Sequence, residues 1–515
     1  MPRIVETAKG SLAGERIDGV RRFLGIPYAA PPVGALRLAS PRPPLPWSGT
    51  RMATSFGPAP PQILVGSQLW LNDPIEAQDE DCLYLNVWAG EGASGAPVLV
   101  WFHGGATRNG HGGMAAIDGA FLARRHGLVV VTVNYRLGAL GGLGHPALAD
   151  PVTGYAANWG LQDKVAALRW VRDEIASFGG DPARVTIAGQ SSGATDALLI
   201  AQNPDFRSLF ARVIAQSPPL FQPPMLSDLA GATEYTEAFA GLLGTDVAGL
   251  RDIDGATLVA REQAFLRSSP LGRPRTAPTR DGVLVRDWPV AGTLADVPLL
   301  IGFTRDEAGF WYDLSLPDGT VLSALKPPVD MAGLAAEVGR LVVRHYPYPD
   351  APRPMDIIAA YQAAMPAASV AALFLAIYTD LVFRAPIMDC ASRHAARRQP
   401  AFLYEFAWPL APPSRSAPHA AEVPFVFGNV GHPHYAGKVG RPAEAAATSH
   451  ALAGLWASFV HSGDPGGGWP AWNLAQPLAV LGAAQETLRI GELERRAALS
   501  LWSAYDMAPE MTEPT

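Results

Sequence analysis

The sequence predicts an α/β fold, built as one large twisted, mostly parallel sheet with helices on both faces. Three observations lead there. Short β-branched apolar runs bounded by Gly or Pro recur through the first half, the pattern of buried sheet strands. A long helical stretch separates two of these runs, and strand, helix, strand at such spacing implies a right-handed crossover with parallel pairing. The second half alternates further helical stretches with short strands.

In chain order the early strands are Cys82–Trp88, Val98–Phe102, Leu128–Val133 and Val185–Ala188, with the helix Leu161–Phe178 between the last two. Later come strands Pro298–Phe303 and Ala401–Phe406 and helices Met331–His345 and Ala446–His461. The uncharged stretch Ile357 to Thr379 has the length of a membrane span. It contains Gln362, Pro366 and Ser369 and is flanked by Asp356 and Asp380. It therefore reads as two buried helical pieces broken at Pro366. No repeat or low-complexity linker divides the chain. Residues 1–515 read as a single domain, with helical insertions at roughly 220–290 and 325–395 over the strands' carboxyl ends.

A net charge of -7 argues against a nucleic-acid backbone as partner and against a polybasic membrane anchor. Two cysteines, Cys82 and Cys390, exclude a disulfide framework. The opening MPRIVETAKGSLAGERI has no apolar leader pattern. Both features point to a reducing, cytoplasmic setting. Histidines show no metal-ligand spacing such as H-E-x-x-H, so no metal or other cofactor is expected.

The richest segment is Val185-Thr-Ile-Ala-Gly189-Gln-Ser191-Ser-Gly193. An apolar strand runs into G-x-S-x-G, and a helical stretch, Ala194–Ala201, follows. A sharp turn of this kind needs glycines because side chains have no room beside the serine. It presents the Ser191 hydroxyl at the top of the sheet, where the helix N-terminus favours developing negative charge. The strand Pro97–Phe102 leads into His103-Gly104-Gly105-Ala106. A small-residue loop after a strand supplies main-chain donors, here the N–H groups of Gly105, Ala106 and Ser192, for an oxyanion.

These segments resemble the type-B carboxylesterases, which include cholinesterases and bacterial p-nitrobenzyl esterases. The resemblance runs along nearly the whole chain. It is carried by Phe23-Leu-Gly-Ile-Pro-Tyr-Ala29 with Pro31-Pro-Val-Gly34, by Glu80-Asp-Cys-Leu-Tyr-Leu-Asn86, and by Asn158-Trp-Gly-Leu-Gln-Asp163. Phe178-Gly-Gly-Asp-Pro182 and Gly463-Asp-Pro465 complete it. It implies the α/β-hydrolase fold and a serine esterase that hydrolyses small-molecule carboxylic esters through an acyl-serine. The same residues would serve amide or carbamate hydrolysis. A non-catalytic binding protein on this fold would lack the serine or the histidine, and this chain has both.

The resemblance also implies site residues. The family's acid is the glutamate of an Asp-Glu-Gly segment. It maps to Glu307 in Gly302-Phe-Thr-Arg-Asp-Glu307-Ala-Gly, where pattern alone leaves Asp306 as an alternative. The family's histidine precedes a Pro-Phe-Val-Phe-Gly segment and maps to His419 in Pro418-His419-Ala-Ala-Glu422-Val-Pro-Phe-Val-Phe-Gly428. The order Ser191, Glu307, His419 is the fold's own order. Arg37 and Glu80 match a structural salt bridge of the family. Ser217 matches a serine that supports the acid, although Pro218 replaces its usual glycine neighbour. The family often bridges the cysteine at position 82 to one upstream, but none precedes it here, so a free thiol is expected. After the oxyanion loop the family usually carries an aromatic residue. Thr107 and Arg108 stand there instead. Both are candidate substrate contacts: Thr107 widens the pocket mouth, and Arg108 either pairs with a carboxylate on the substrate or points to solvent or a nearby acid. Oligomeric state is not written in these motifs.

Overall fold

The computed structural model describes residues 3–221, 226–268, 278–323, 325–346, 351–473, 477–483, 486–491 and 494–503. Parts of both expected insertions and the end of the chain lie outside them. Among the described residues one mixed thirteen-stranded sheet forms the frame. Its strands are β1 (Arg3–Thr7), β2 (Gly10–Ile17), β3 (Val20–Pro27), β4 (Thr50–Met52), β5 (Tyr84–Gly90), β6 (Ala96–Phe102) and β7 (Val129–Val133). They continue with β8 (Gly180–Gln190), β9 (Arg212–Gln216), β10 (Leu299–Thr304), β11 (Ala401–Phe406), β12 (Leu478–Ala483) and β13 (Glu486–Gly491). The spatial order is β1-β2-β3-β5-β7-β6-β8-β9-β10-β11-β12-β13, with β4 against β2.

The run β7-β6-β8-β9-β10-β11-β12 is parallel throughout. The N-terminal strands and β13 flank it as antiparallel wings. β7 and β8 are not neighbours: each pairs with β6, so the helix between them crosses over one intervening strand. The outer N-terminal strands β1, β2 and β4 are the part that apolar runs do not reveal, because most of their residues are exposed or only partly buried. That helix spans Trp159–Glu174, and the expected last turn, Ile175–Phe178, is a 3-10 turn.

The core strands read as continuous apolar runs because both faces are covered. In β6, Val98, Val100 and Phe102 join one core, and Leu99 and Trp101 the other. The first core packs Leu161, Val165 and Leu168 of the crossover helix; the second packs Leu452, Trp456 and Phe459 of the helix Pro442–Ser462. The uncharged stretch near Pro366 forms two helices, Pro354–Ala364 and Val370–Thr379. Val370–Ala396 is long and apolar enough to cross a membrane, yet most of it is buried inside the protein as a core helix.

Parallel register brings the carboxyl ends of the central strands level. Phe102 pairs with Gly189, Gln190 with Gln216, Gln216 with Gly302, and Thr304 with Phe406. The loops leaving β6, β8, β10 and β11 therefore open on one edge, where ligands bind in open α/β sheets.

Away from that edge, Arg37 and Glu80 form a bidentate pair, with Nε to Oε2 at 2.6 Å and Nη2 to Oε1 at 2.8 Å. Glu80 Oε1 also accepts from the Gly255 N–H at 2.7 Å, and Arg37 Nη1 donates to the Arg251 carbonyl. The pair thus pins the β9–β10 insertion to the N-terminal loops. Removing one partner strands a mostly buried charge. Arg37→Ala is expected to lower stability by about 3 kcal/mol, measured as a drop in urea midpoint at constant slope; a loss under about 1 kcal/mol would mark the pair as a solvated surface contact.

Candidate active site

Ser191 sits between β8 and the helix Ser192–Gln202, with φ 54° and ψ −129°. A non-glycine residue holds such a backbone only where its surroundings enforce it. Here the Ser191 N–H is tied to the Gln216 carbonyl at 2.8 Å, and the helix begins at once, with Ala194 and Thr195 donating to the Ser191 carbonyl. Gly193 is the enabling residue. A Cβ there would strike the Phe102 and His103 carbonyl oxygens, so only glycine lets the elbow lie against the end of β6.

The loop after β6 is equally constrained. Gly105 has φ 120°, and Ala106 and Thr107 are left-handed at 55° and 59°. The Gly105 carbonyl takes the N–H groups of Arg108 and Asn109, the Thr107 N–H donates to Ser192 Oγ at 3.1 Å, and the Thr107 carbonyl takes the Gly138 N–H. Beneath the loop, Tyr135 Oη donates to the His103 carbonyl at 2.5 Å and the two rings stack 4.3 Å apart. Burial drives the His103 imidazole down to about 3, so it stays neutral. Among the described residues no acceptor takes the N–H groups of Gly105, Ala106 or Ser192. Three free donors beside a serine hydroxyl form a ready anion pocket.

Glu307 and His419 meet although 112 residues separate them. Glu307 Oε2 lies 2.5 Å from His419 Nδ1, and Glu307 Oε1 accepts from the Thr304 N–H at 2.8 Å. Asp306 turns away and accepts from the Ala417 N–H at 2.9 Å, so of the two adjacent acids it is Glu307 that meets the histidine. Both Glu307 and His419 are buried. Phe310, Trp311 and Phe383 enclose the imidazole, with ring centroids 5.1 to 5.8 Å away.

A cavity of about 120 Å³ opens onto Ser191. Ala106, Thr107 and Ser192 line it near the hydroxyl. Pro219, Phe221 and Leu226 come from the segment after β9, and Trp311, Tyr378 and Phe383 from the segment between β10 and β11. The walls are almost wholly apolar. Of the two candidate contacts, Thr107 faces the cavity and Arg108 does not line it. Arg108 Nε is buried, and the guanidinium lies in the field of the buried Glu262. Ser217 makes no bond to Glu307: among the described residues its Oγ is buried without a partner, and its N–H donates to the Gly302 carbonyl. Cys82 and Cys390 are buried free thiols. Among the described residues no group of His, Cys, Asp or Glu is placed to hold a metal.

Sequence reasoning passed over two residues. Gln190, the unspecified position of G-x-S-x-G, has its Nε2 3.0 Å from His419 Nε2. Glu422, three residues after the histidine, is a second buried acid near Glu307. Its Oε1 accepts from Gln216 Nε2 at 3.0 Å, and Trp456 Nε1 donates to Gln216 Oε1 at 2.9 Å, whereas Glu422 Oε2 has no partner among the described residues.

The carboxyl edge of the sheet, the glycine-cramped serine turn and the serine–acid–histidine arrangement define an α/β-hydrolase of the serine-esterase class. The comparisons with known proteins agree, and the chain belongs to the carboxylesterase family, whose profile matches residues 1–502. It is 35% identical over 501 residues to the fumonisin B1 esterase of Sphingopyxis macrogoltabida, covering 94% of this chain and 87% of that one. It is 33% identical to the para-nitrobenzyl esterase of Bacillus subtilis (strain 168), covering 92% and 93%. A solved PNB esterase structure superposes with TM-score 0.79 at 30% identity, over 97% of this chain and 99% of the other.

Burial and the neighbouring Glu307 carboxylate push the Glu422 carboxyl up to about 7 from an ordinary 4.5. From about pH 4.5 to 7 the folded protein keeps a proton that the unfolded chain releases. This contribution to stability is therefore present at low pH and lost as pH rises through 7. Glu422→Gln keeps the shape and removes the titration. Its stability relative to wild type is expected to grow by about 1–3 kcal/mol between pH 5 and 8, followed by denaturant unfolding at each pH. A difference that does not change with pH would show that Glu422 is not held protonated.

Proposed function

We propose that this carboxylesterase works through Ser191, His419 and Glu307 on neutral esters with an apolar group beside the scissile carbonyl. The observation that carries the reading is the convergence at one cavity of the serine, three free main-chain donors and an apolar wall. The Glu307–His419 hydrogen bond lies directly behind it.

In acylation the Ser191 Oγ attacks the ester carbonyl as its proton passes to His419 Nε2. Glu307 holds Nδ1–H and stabilises the imidazolium. The carbonyl oxygen becomes an oxyanion on the N–H groups of Gly105, Ala106 and Ser192, each worth on the order of 3 kcal/mol to the barrier. Collapse breaks the C–O bond, and the leaving alkoxide takes the proton from Nε2. Water then gives a proton to His419 Nε2 and attacks the acyl carbon, the C–Oγ bond breaks, and Nε2 returns the proton to Ser191 Oγ as the acid departs. In the apo geometry no hydrogen bond joins Ser191 Oγ to His419, and such contacts often close only with substrate bound.

The low polarity of the walls, and the position of Arg108 outside them, support neutral over anionic substrates. The proposal extends to a cytoplasmic setting, supported by two buried thiols that form no disulfide.

Ser191→Ala is expected to abolish ester turnover and labelling by an organophosphate while leaving the circular-dichroism spectrum unchanged. Full labelling of that variant would place the nucleophile elsewhere. Thr107→Phe should restore a ring at the pocket mouth. A loss of kcat/KM of about 10-fold or more for bulky acyl esters, with acetyl esters spared, is the scale of steric exclusion worth 1–3 kcal/mol. An equal loss for both would mean that the loop, not the pocket, had been damaged.

A further inference from the structure

We propose that Gln190 is a positioning residue for the general base: its side-chain amide holds the neutral, Nε2-unprotonated form of His419 and competes with Ser191 for that nitrogen. The inference rests on His419 being the base.

A carboxylate only accepts, so Glu307 Oε2 at 2.5 Å places the proton on Nδ1. In the neutral imidazole Nε2 is then a bare lone pair. The group facing it is the Gln190 amide at 3.0 Å. Only the NH₂ end of that amide can bond to a lone pair, so Gln190 donates. Gln190 is 2% exposed, and water does not readily replace it. Its carboxamide lies against the oxyanion loop: a Cβ on Gly104 would strike Gln190 Oε1 and come within 2.9 Å of the Gln190 carbonyl. The rings of Phe310, Trp311 and Phe383 box the imidazole on other sides, and among the described residues none of them hydrogen-bonds to Nε2. The acids facing the ring are Glu307, Glu422 beyond it, and Asp306, whose carboxylate is bound to the Ala417 N–H.

A donor on Nε2 stabilises the neutral base and opposes its protonation. It also occupies the lone pair that the Ser191 proton must reach. When that proton arrives, the amide has to let go or rotate by half a turn to offer Oε1 to the imidazolium. A glutamate at this position, having only acceptors, would favour the imidazolium from the start. The residue inside the elbow thus tunes how far down in pH the base remains free.

The test is the acylation rate, taken from the pre-steady-state burst on a neutral p-nitrophenyl ester and followed against pH. Wild type, Gln190→Met and Gln190→Glu are compared. The acid limb is expected to move to higher pH by about half to one unit in the Met variant, and further in the Glu variant, with little change in KM. If the amide merely fills space, methionine fills it too and the limb stays in place. A Met limb that coincides with wild type, or a Glu limb that does not rise, overturns the proposal. Should the Met variant not fold, the near-isosteric Glu variant decides. Stoichiometric organophosphate labelling of wild type at Ser191 separates a failure here from a failure of the triad assignment.

Discussion

The contact between Gly193 and the end of β6 is the constraint on which the site depends. Because Gly193 has no side chain, the turn after β8 can lie directly on the Phe102 and His103 carbonyls. That contact sets the distance between two loops which do different chemistry. One carries the Ser191 hydroxyl, and the other carries the Gly105 and Ala106 donors. Catalysis of this kind gains from donors fixed in advance at the place where charge develops, and not from donors that must move there. The strained backbone at Ser191, Ala106 and Thr107 is part of the same arrangement. It persists because rigid parallel strands hold both loops by their roots.

Behind the loops the site is held by buried polar pairs. Lys164 and Asp196 form an ion pair 2.9 Å long that joins the crossover helix to the helix following Ser191. Lys164 Nζ also lies 3.0 Å from the centre of the Tyr135 ring, whose hydroxyl holds the His103 carbonyl. A chain of contacts therefore runs from the serine helix to the oxyanion loop without leaving the core. Burying a charge pair is costly to both partners, and burial pulls the Lys164 ammonium down and the Asp196 carboxyl up. The Trp456–Gln216–Glu422 network does comparable work beneath Glu307. Such networks favour one arrangement of neighbours over many similar ones to the extent that their members are satisfied, and among the described residues Glu422 Oε2 and Asp196 Oδ1 are not.

Legibility in the sequence followed the physics of each element. β11 and the helix Met331–His345 were readable to the residue, because strong apolar periodicity met clear punctuation at both ends. The outer N-terminal strands were not, since β1 buries one residue of five and β4, parallel to β2, is fully exposed and carries no apolar face to read. The serine and its donors were legible through glycine, the one residue whose absence of a side chain is itself a geometric statement. Glu307 and His419 needed family resemblance, as no local rule brings together residues 112 positions apart. The sequence could not show that Ser217 leaves Glu307 alone, because that depends on where one hydroxyl points inside a packed core. Gln190 and Glu422 stood within quoted motifs and were passed over, for a motif's variable positions look free until their neighbours in space are known.

The chemistry and the selectivity of this enzyme come from different kinds of structure. Ser191 directly follows β8 and Glu307 follows β10 by three residues, at strand ends fixed by hydrogen-bonded register across β6, β8, β10 and β11, and His419 is held against them by its bond to Glu307. The apolar walls come from the segments after β9 and β10, which lie outside the ladder and meet the rest of the cavity largely through apolar side chains. Apolar packing is non-directional and tolerates exchange of one hydrophobic side chain for another at modest cost. Register does not, because a one-residue slip reverses every side chain on the strand. Substitution in the walls can therefore change which acyl group fits while leaving the donors at Gly105, Ala106 and Ser192 where they are. Trp311 is the exception. It lines the cavity and also stands 5.1 Å from the His419 ring, so a change there alters the pocket and the packing of His419 together.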